Sequence, residues 1–150
     1  MAKKFRNNFR YLRHTADVSF FAYGNTKEEC FKNASNAMLN LMFDLKKIKK
    51  RDFKLSSIKV KEKAGNLDDL LWFFLQKTLS LVSTKSILAT ELTNIKISKK
   101  NNKFYVTFNL LFLKNPDQKY FIMDVKAVTP HELVIKYRKN IYRARVILDI

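Results

Sequence analysis

Cysteine, glycine and proline are scarce in this chain of 150 residues, which has one, two and two of them. The single Cys30 excludes an intrachain disulfide, so the sequence gives no support for an oxidising compartment. Because the only glycines are Gly24 and Gly65, the chain has no glycine-rich phosphate loop or dinucleotide-binding motif. It also lacks the G-x-S-x-G elbow of hydrolases and the H-E-x-x-H motif of metalloproteases. Several common enzyme classes are thereby excluded.

Acidic residues and long apolar runs are also few. Asp and Glu number 13 against 30 Lys and Arg, a net charge of +17. That excess attracts polyanions such as RNA, although a lysine-rich solvated surface explains it equally well. The most apolar run, residues 70–75, is far too short to span a membrane, and no apolar signal segment follows the basic N-terminus. We therefore expect a cytoplasmic protein that does not bind membranes.

What the sequence does contain is the pattern of a single globular domain over residues 1–150. Hydrophobic residues make up 47% of it, and disorder is expected only within residues 1–10. Helical periodicity predicts helices over residues 26–44 and 67–83, the second apolar on most sides, and a loop over the basic run 46–51. Alternation and turn residues predict strands at 18–23, 53–63, 93–98, 104–113, 120–129, 133–138 and 142–150. The order β-α-β-α-β-β-β-β-β predicts an α+β fold, with two helices packed on one face of a mixed, mostly antiparallel sheet.

Two of three candidate sites involve carboxylates at strand ends. Asp17 follows His14 directly before the first predicted strand, where a carboxylate can bind a hard metal ion or simply cap its own turn. Asp149 and Ile150 end the last predicted strand, so the Asp149 carboxylate and the α-carboxylate of Ile150 are expected side by side. Two such groups repel unless a cation lies between them, although Asp149 could also face solvent on an edge.

The third candidate site is the segment from Asp124 to His131. Strand alternation predicts that Asp124, Lys126 and Val128 share a face, and that Lys126 contacts a phosphate or carboxylate, or is an ordinary exposed lysine. His131, after Pro130, is either a contact residue or a plain turn residue. By contrast Cys30 lies on the apolar face of the first predicted helix, so we expect an inert core thiol, and the cysteine and histidines lack zinc-site spacing.

Four segments, in order along the chain, resemble the archease family. They are YLRHTADVSFFAYGNTKEECFKNASNAMLNLMFD (residues 11–44), NLDDLLWFFLQKTLSLVST (66–84), DVKAVTPHEL (124–133) and ARVILDI (144–150). The resemblance covers nearly the whole chain. Members of that family are often acidic, whereas this chain is strongly basic.

The resemblance implies a non-catalytic activator of the RtcB-type RNA ligase of tRNA splicing, which promotes ligase guanylylation and multiple turnover. It implies a divalent metal, calcium before magnesium or manganese, bound by Asp17, Asp149 and the carboxylate of Ile150. His14 is expected to shape the metal loop from outside the ligand set. Lys126 and His131 are the expected contacts with the ligase or its nucleotide.

Two other functions remain open from the residues alone. A basic RNA-binding module would act on RNA directly, but most of the aromatic residues alternate with apolar neighbours and are better explained as core than as stacking platforms. A metal-dependent hydrolase would need a general base that the sequence does not supply.

Overall fold

The structure is a computed structural model that describes residues 8–13 and 16–150, with Arg13 described by its backbone alone. Its strands are β1 (Phe9–Arg13), β2 (Asp17–Gly24), β3 (Ser56–Ala64), β4 (Leu88–Lys100), β5 (Lys103–Leu113), β6 (Ala127–Arg138) and β7 (Ile141–Asp149). Its helices are α1 (Lys27–Met42), α2 (Leu45–Lys49) and α3 (Leu67–Lys85), with a 3₁₀ turn at Gln118–Tyr120.

The strands form two antiparallel sheets, one ordered β1-β2-β7-β6 and the other β3-β5-β4. The predicted α+β class is confirmed, but the single mixed sheet is replaced by these two sheets. Helix α1 packs on β2 and β4, and α3 packs on β6, β3 and β5, so each long helix contacts both sheets. One hydrophobic core therefore serves the whole described chain.

Aromatic rings join the two long helices to the second sheet. The rings of Phe31 in α1 and Phe74 in α3 have centroids 5.1 Å apart. Phe74 in turn lies 4.8 Å from Phe108 of β5, edge to face. All three side chains are fully buried. Aromatic pairs in this geometry add stabilisation beyond the area they bury, so this row fixes the helices against the sheet.

Both long helices begin as their sequences predict. Thr26 accepts a hydrogen bond from the Glu29 amide at 3.0 Å, and Asn66 accepts one from the Asp69 amide at 2.8 Å. These side chains satisfy amides that the first helical turn leaves without partners. Glu29 and Asp69 also place negative charge at the positive end of each helix dipole.

Several element boundaries differ from the predicted ones. The basic run 46–51 is not only a loop, because α2 occupies residues 45–49, capped by Asp44. Strand β1 begins at Phe9, within the ten residues where disorder was expected. The predicted strand 120–129 is wrong over most of its length: residues 121–126 are not in a strand, and β6 then runs continuously through 127–138.

A bulge explains why β6 looked like two strands in the sequence. Thr129 pairs with Ile147 and Val134 with Arg145, so four residues of β6 lie opposite one of β7. Pro130 lies in this bulge, where its missing amide costs no ladder hydrogen bond, and Glu132 adopts a positive φ of 59°. Proline followed by polar residues is the usual pattern of a turn, and the bulge resembles it.

Candidate metal and partner-contact site

Asp17 and Asp149 are direct neighbours across the first sheet. They are register partners at the end of the β2–β7 ladder. Cβ atoms of directly opposed residues are about 4.5–5.5 Å apart, and like charges in that position destabilise a strand pair. Within residues 8–12 and 16–150, neither carboxylate forms an ion pair with a lysine or arginine. A cation between the two oxygens would relieve the repulsion.

The Asp149 carboxylate is held in place by a third strand. Thr129 of β6 donates a hydrogen bond from Oγ1 to Asp149 Oδ1 at 3.1 Å. The amide of Lys126 donates to the main-chain oxygen of Asp149 at 2.8 Å. Asp149 is thus fixed at its side chain by β6 and at its backbone by the residue that precedes β6. Ile150 packs partly against the core, which anchors the main chain beside it.

The oxygen atoms gathered here suit a hard cation. Asp17 and Asp149 supply carboxylates, and the Thr129 hydroxyl lies next to them. Calcium and magnesium take such oxygen ligands, whereas structural zinc takes cysteine and histidine. The described residues hold no group of three or more His, Cys, Asp and Glu side chains that could bind a metal. Within the described part of the chain, any further ligand must therefore be a group of another kind, such as the carboxylate of Ile150 or a main-chain oxygen.

The other predicted site residues have different outcomes. His14 lies outside the described residues. Lys126 is exposed, and its main chain bonds to Asp149, which places it directly beside the carboxylate pair. His131 is exposed in the β6 bulge.

The predicted shared face of Asp124, Lys126 and Val128 is wrong. Val128 is buried whereas Asp124 and Lys126 are exposed, and Val125 is buried as well. The alternation fails because the chain enters β6 only at Ala127, so residues on either side of that point follow different geometries. Lys126 is therefore a surface residue at the start of the sheet, not one of a row along a strand.

A groove of about 900 Å³ leads to Lys126. One wall is the C-terminal half of α3, and the other is the segment 115–126. Phe121 and Ile122 in that wall are 44% and 60% exposed, unusually high for large apolar side chains. The groove thus combines exposed apolar surface with the positively charged Lys126 at its end, next to Asp17 and Asp149.

Three side chains of α3 hold β6 on both sides of its bulge. Trp72 donates from Nε1 to the Val128 carbonyl at 2.7 Å, and Gln76 accepts from the Val128 amide at 2.9 Å. Asp68 accepts from the Ile135 amide at 2.8 Å. The apolar pattern of α3 predicted a buried helix but not these contacts with β6. The signal was present, because hydrogen-bonding side chains at i, i+4 and i+8 lie on one face of a helix.

Cys30 is a core thiol, as predicted. It is fully buried, and its Sγ lies 3.6 Å from the Ala22 carbonyl oxygen. Burial raises the pKa of the thiol to about 12, because the thiolate would lose its hydration. At neutral pH the thiolate, which is the nucleophilic form, is essentially absent.

Comparison with known proteins now identifies the family. The profile of the archease protein family (MTH1598/TM1083) matches residues 9–150. The chain belongs to the archease family. The archease of Methanosarcina barkeri is 34% identical over 143 residues, covering 95% of each chain.

Two solved structures share the archease fold. The solution structure of protein 1598 from Methanobacterium thermoautotrophicum superposes with a TM-score of 0.82 at 29% identity, covering 95% of this chain and 99% of that one. A Thermotoga maritima archease, described as a possible chaperone, gives 0.55 at 19% identity, covering 100% of this chain and 98% of that one. The second likeness supports the fold alone. No helix among the described residues is long and apolar enough to cross a membrane.

Proposed function

We propose that this archease activates an RtcB-type RNA ligase in tRNA splicing, promoting guanylylation and multiple turnover of the ligase. It carries out no ligation itself. The observation that carries the proposal is the opposed pair Asp17 and Asp149 in a chain of this family, with Lys126 bonded to the same strand end. The pair lies next to a groove that could receive part of a partner protein.

In this proposal Asp17, Asp149 and the carboxylate of Ile150 hold a divalent cation, calcium before magnesium or manganese. The cation would supply positive charge that cancels the repulsion between the opposed carboxylates. The β2–β7 ladder presents both aspartates from rigid strands, and Thr129 orients one of them. His14 would shape the adjoining loop from outside the ligand set.

Lys126 is proposed as the contact with the ligase or its bound nucleotide, with His131 nearby along β6. A lysine ammonium is a compact cation with three donors and suits either a phosphate or a carboxylate. Because the Lys126 amide is bonded to Asp149, a metal ion that fixes Asp149 would also fix the main chain of Lys126. The exposed Phe121 and Ile122 give the groove apolar anchors of the kind that protein interfaces use.

The test is multiple-turnover RNA ligation by the cognate ligase, with and without this protein. We compare Asp149→Ala with Asp52→Ala, which removes an exposed carboxylate far along the chain from the site. We expect acceleration by the wild type and Asp52→Ala, and at least a tenfold loss with Asp149→Ala. The calcium affinity of Asp149→Ala, measured by calorimetric titration, should fall in parallel, because one of the ligands is gone.

Equal acceleration and equal calcium affinity in both variants would reject the carboxylate site. No acceleration by the wild type would reject the activator function itself. If Asp149→Ala loses calcium binding but still accelerates ligation, the metal is structural and separate from activation.

A further inference from the structure

The outer face of the second sheet carries an unusual concentration of lysines. On the edge strand β3, Val60 and Ala64 point into the core, while Lys59, Lys61 and Lys63 alternate with them and are exposed. Helices α1 and α3 pack on the core side of this sheet. The three lysines therefore point away from the helices.

The other two strands extend the same face. Register pairs Lys61 with Thr107 and Lys63 with Tyr105 on β5, and pairs these in turn with Lys96 and Ser98 on β4. Directly paired residues lie on one side of a sheet, so these side chains share the outer face. At the end of this face, where β4 leads into β5, Lys103 of β5 pairs with Lys100 of β4. We call Lys59, Lys61, Lys63, Lys96, Lys100 and Lys103 the lysine face.

The acidic residue between two of these lysines, Glu62 of β3, alternates with Lys61 and Lys63 and therefore lies on the opposite side of the strand. Between the lysines of β3 and β4 the outward positions of β5 are Tyr105, Thr107 and Asn109, which are half-buried and uncharged. Within the described part of the chain, none of the six lysines forms an ion pair. Glu91, further along β4, is paired with Lys32 of α1 at 3.5 Å. Six like charges on one small sheet repel one another, so an anion bound here would stabilise the fold.

Two rows of lysines lie on either side of a strip of uncharged polar side chains on β5. Alternate residues of a strand are about 6.8 Å apart, and strands on either side of a central one are about 9.6 Å apart. The lysines of β3 and β4 therefore flank the hydroxyl and amide groups of Tyr105, Thr107 and Asn109. Lysines would neutralise phosphates, and the polar strip could bond to phosphate oxygens and to the ribose 2′-hydroxyl.

From these features we infer that the lysine face binds the phosphodiester backbone of RNA. An anionic membrane fits less well, because none of the exposed large apolar side chains of the described residues belongs to β3, β4 or β5. A protein interface fits less well too, because the centres of such interfaces are poor in lysine. Contacts from lysines to phosphates carry no sequence information, so the binding is sequence-independent.

This inference is independent of the proposed ligase activation, because the lysine face uses neither the carboxylate pair nor Lys126. The probe is a fluorescein-labelled single-stranded RNA of about 20 nucleotides, with anisotropy measured from 0.05 to 0.5 M KCl. The test variant is the triple substitution Lys59→Gln, Lys61→Gln and Lys63→Gln. The matched control replaces three exposed lysines of the basic run around α2, with Lys46→Gln, Lys49→Gln and Lys50→Gln.

Each phosphate neutralised on a single strand contributes about 0.7 to the slope of log affinity against log salt. Loss of three contacts should lower the slope by about 2 and weaken binding about a hundredfold at 0.1 M salt. The control triple, with the same net charge, should weaken binding less than threefold. A second triple, Lys96→Gln, Lys100→Gln and Lys103→Gln, should resemble the first. All substituted side chains are exposed, and circular dichroism checks that each variant is folded.

Equal losses in the test and control triples would overturn the inference, since binding would then follow net charge alone. An unchanged affinity in both lysine-face triples would overturn it as well. Polyglutamate that displaces the RNA as well as unlabelled RNA does would make an acidic protein the occupant instead. Tighter binding of DNA of the same sequence would overturn the choice of RNA.

Discussion

At Gly24 the main chain of β2 meets the first turn of α1 so closely that no side chain fits between them. A Cβ atom there would lie 2.3 Å from the Cys30 nitrogen and 2.8 Å from its Cα. Both obstacles are backbone atoms inside a helix, so relief requires α1 to move off the sheet. We expect Gly24→Ala to lower the free energy of unfolding by about 3 kcal/mol, as measured by urea denaturation.

Gly65 provides the matched control for that substitution. A Cβ atom at Gly65 meets nothing within 4 Å, and its φ is not positive. Gly65→Ala should change stability by less than about 1 kcal/mol, and could raise it by restricting the unfolded chain. If the two substitutions have similar effects, the contact at Gly24 does not limit how α1 packs.

Single residues also show what the sequence could and could not predict. The sequence indicated Asp17 and Asp149 because one precedes a predicted strand and the other ends one, but their pairing depends on the antiparallel register of β2 and β7. The contact of Thr129 with Asp149 depends on the same sheet order and was not predicted. The sequence also does not show why residue 24 is glycine, because close approach to a helix leaves no mark in local sequence. The metal, the carboxylate of Ile150 and the function of Lys126 remain predictions.

At the level of elements, α3 determines where β6 begins. Gln76 accepts the amide hydrogen of Val128, a buried residue at the start of the strand. We expect Gln76→Leu to cost about 1–2 kcal/mol, because it leaves that amide buried and unbonded. The amides of Val128 and Thr129 should also exchange with solvent faster, as measured by hydrogen exchange.

Lys77→Leu is the control on the same helix, since Lys77 is exposed and contacts nothing specific among the described residues. It should leave both stability and exchange at Val128 nearly unchanged. Slow exchange at Val128 in Gln76→Leu would mean that Trp72 alone holds the strand. In that case Trp72→Phe, which removes the 2.7 Å bond to the Val128 carbonyl, should reproduce the expected loss.

Elements with a clear hydrophobic periodicity in the sequence were predicted well, and elements that depend on tertiary contacts were not. Helices α1 and α3 have capping residues and apolar spacing, and β5 alternates cleanly, so each was found within a few residues. Helix α2 is short and rich in lysine, so no apolar stripe marks it. The β6 bulge mimics a turn, and β1 depends on pairing with β2. The division into two sheets depends on which strands pair with one another, and hydrophobic periodicity does not reveal that pairing.

At the scale of the whole molecule, most of the positive charge is not neutralised locally. The described residues contain three ion pairs, Lys32–Glu91, Lys47–Asp44 and Arg145–Glu132, against a net charge of +17. Self-repulsion of this kind opposes the compact state, and salt screens it. The two sheets share one core, so the repulsion should affect a single cooperative transition.

We therefore expect sodium chloride to stabilise the protein. Raising the concentration from 0.1 to 1 M shortens the screening length from about 10 to about 3 Å, and should raise the Tm by about 2–4 °C. The measurement is thermal unfolding followed by both circular dichroism and Trp72 fluorescence, which should coincide. The variant Lys59→Gln, Lys61→Gln and Lys63→Gln removes three charges from the lysine face, so its Tm should respond less to salt. A Tm that falls with salt, or rises equally in both proteins, would show that repulsion on the lysine face does not limit stability.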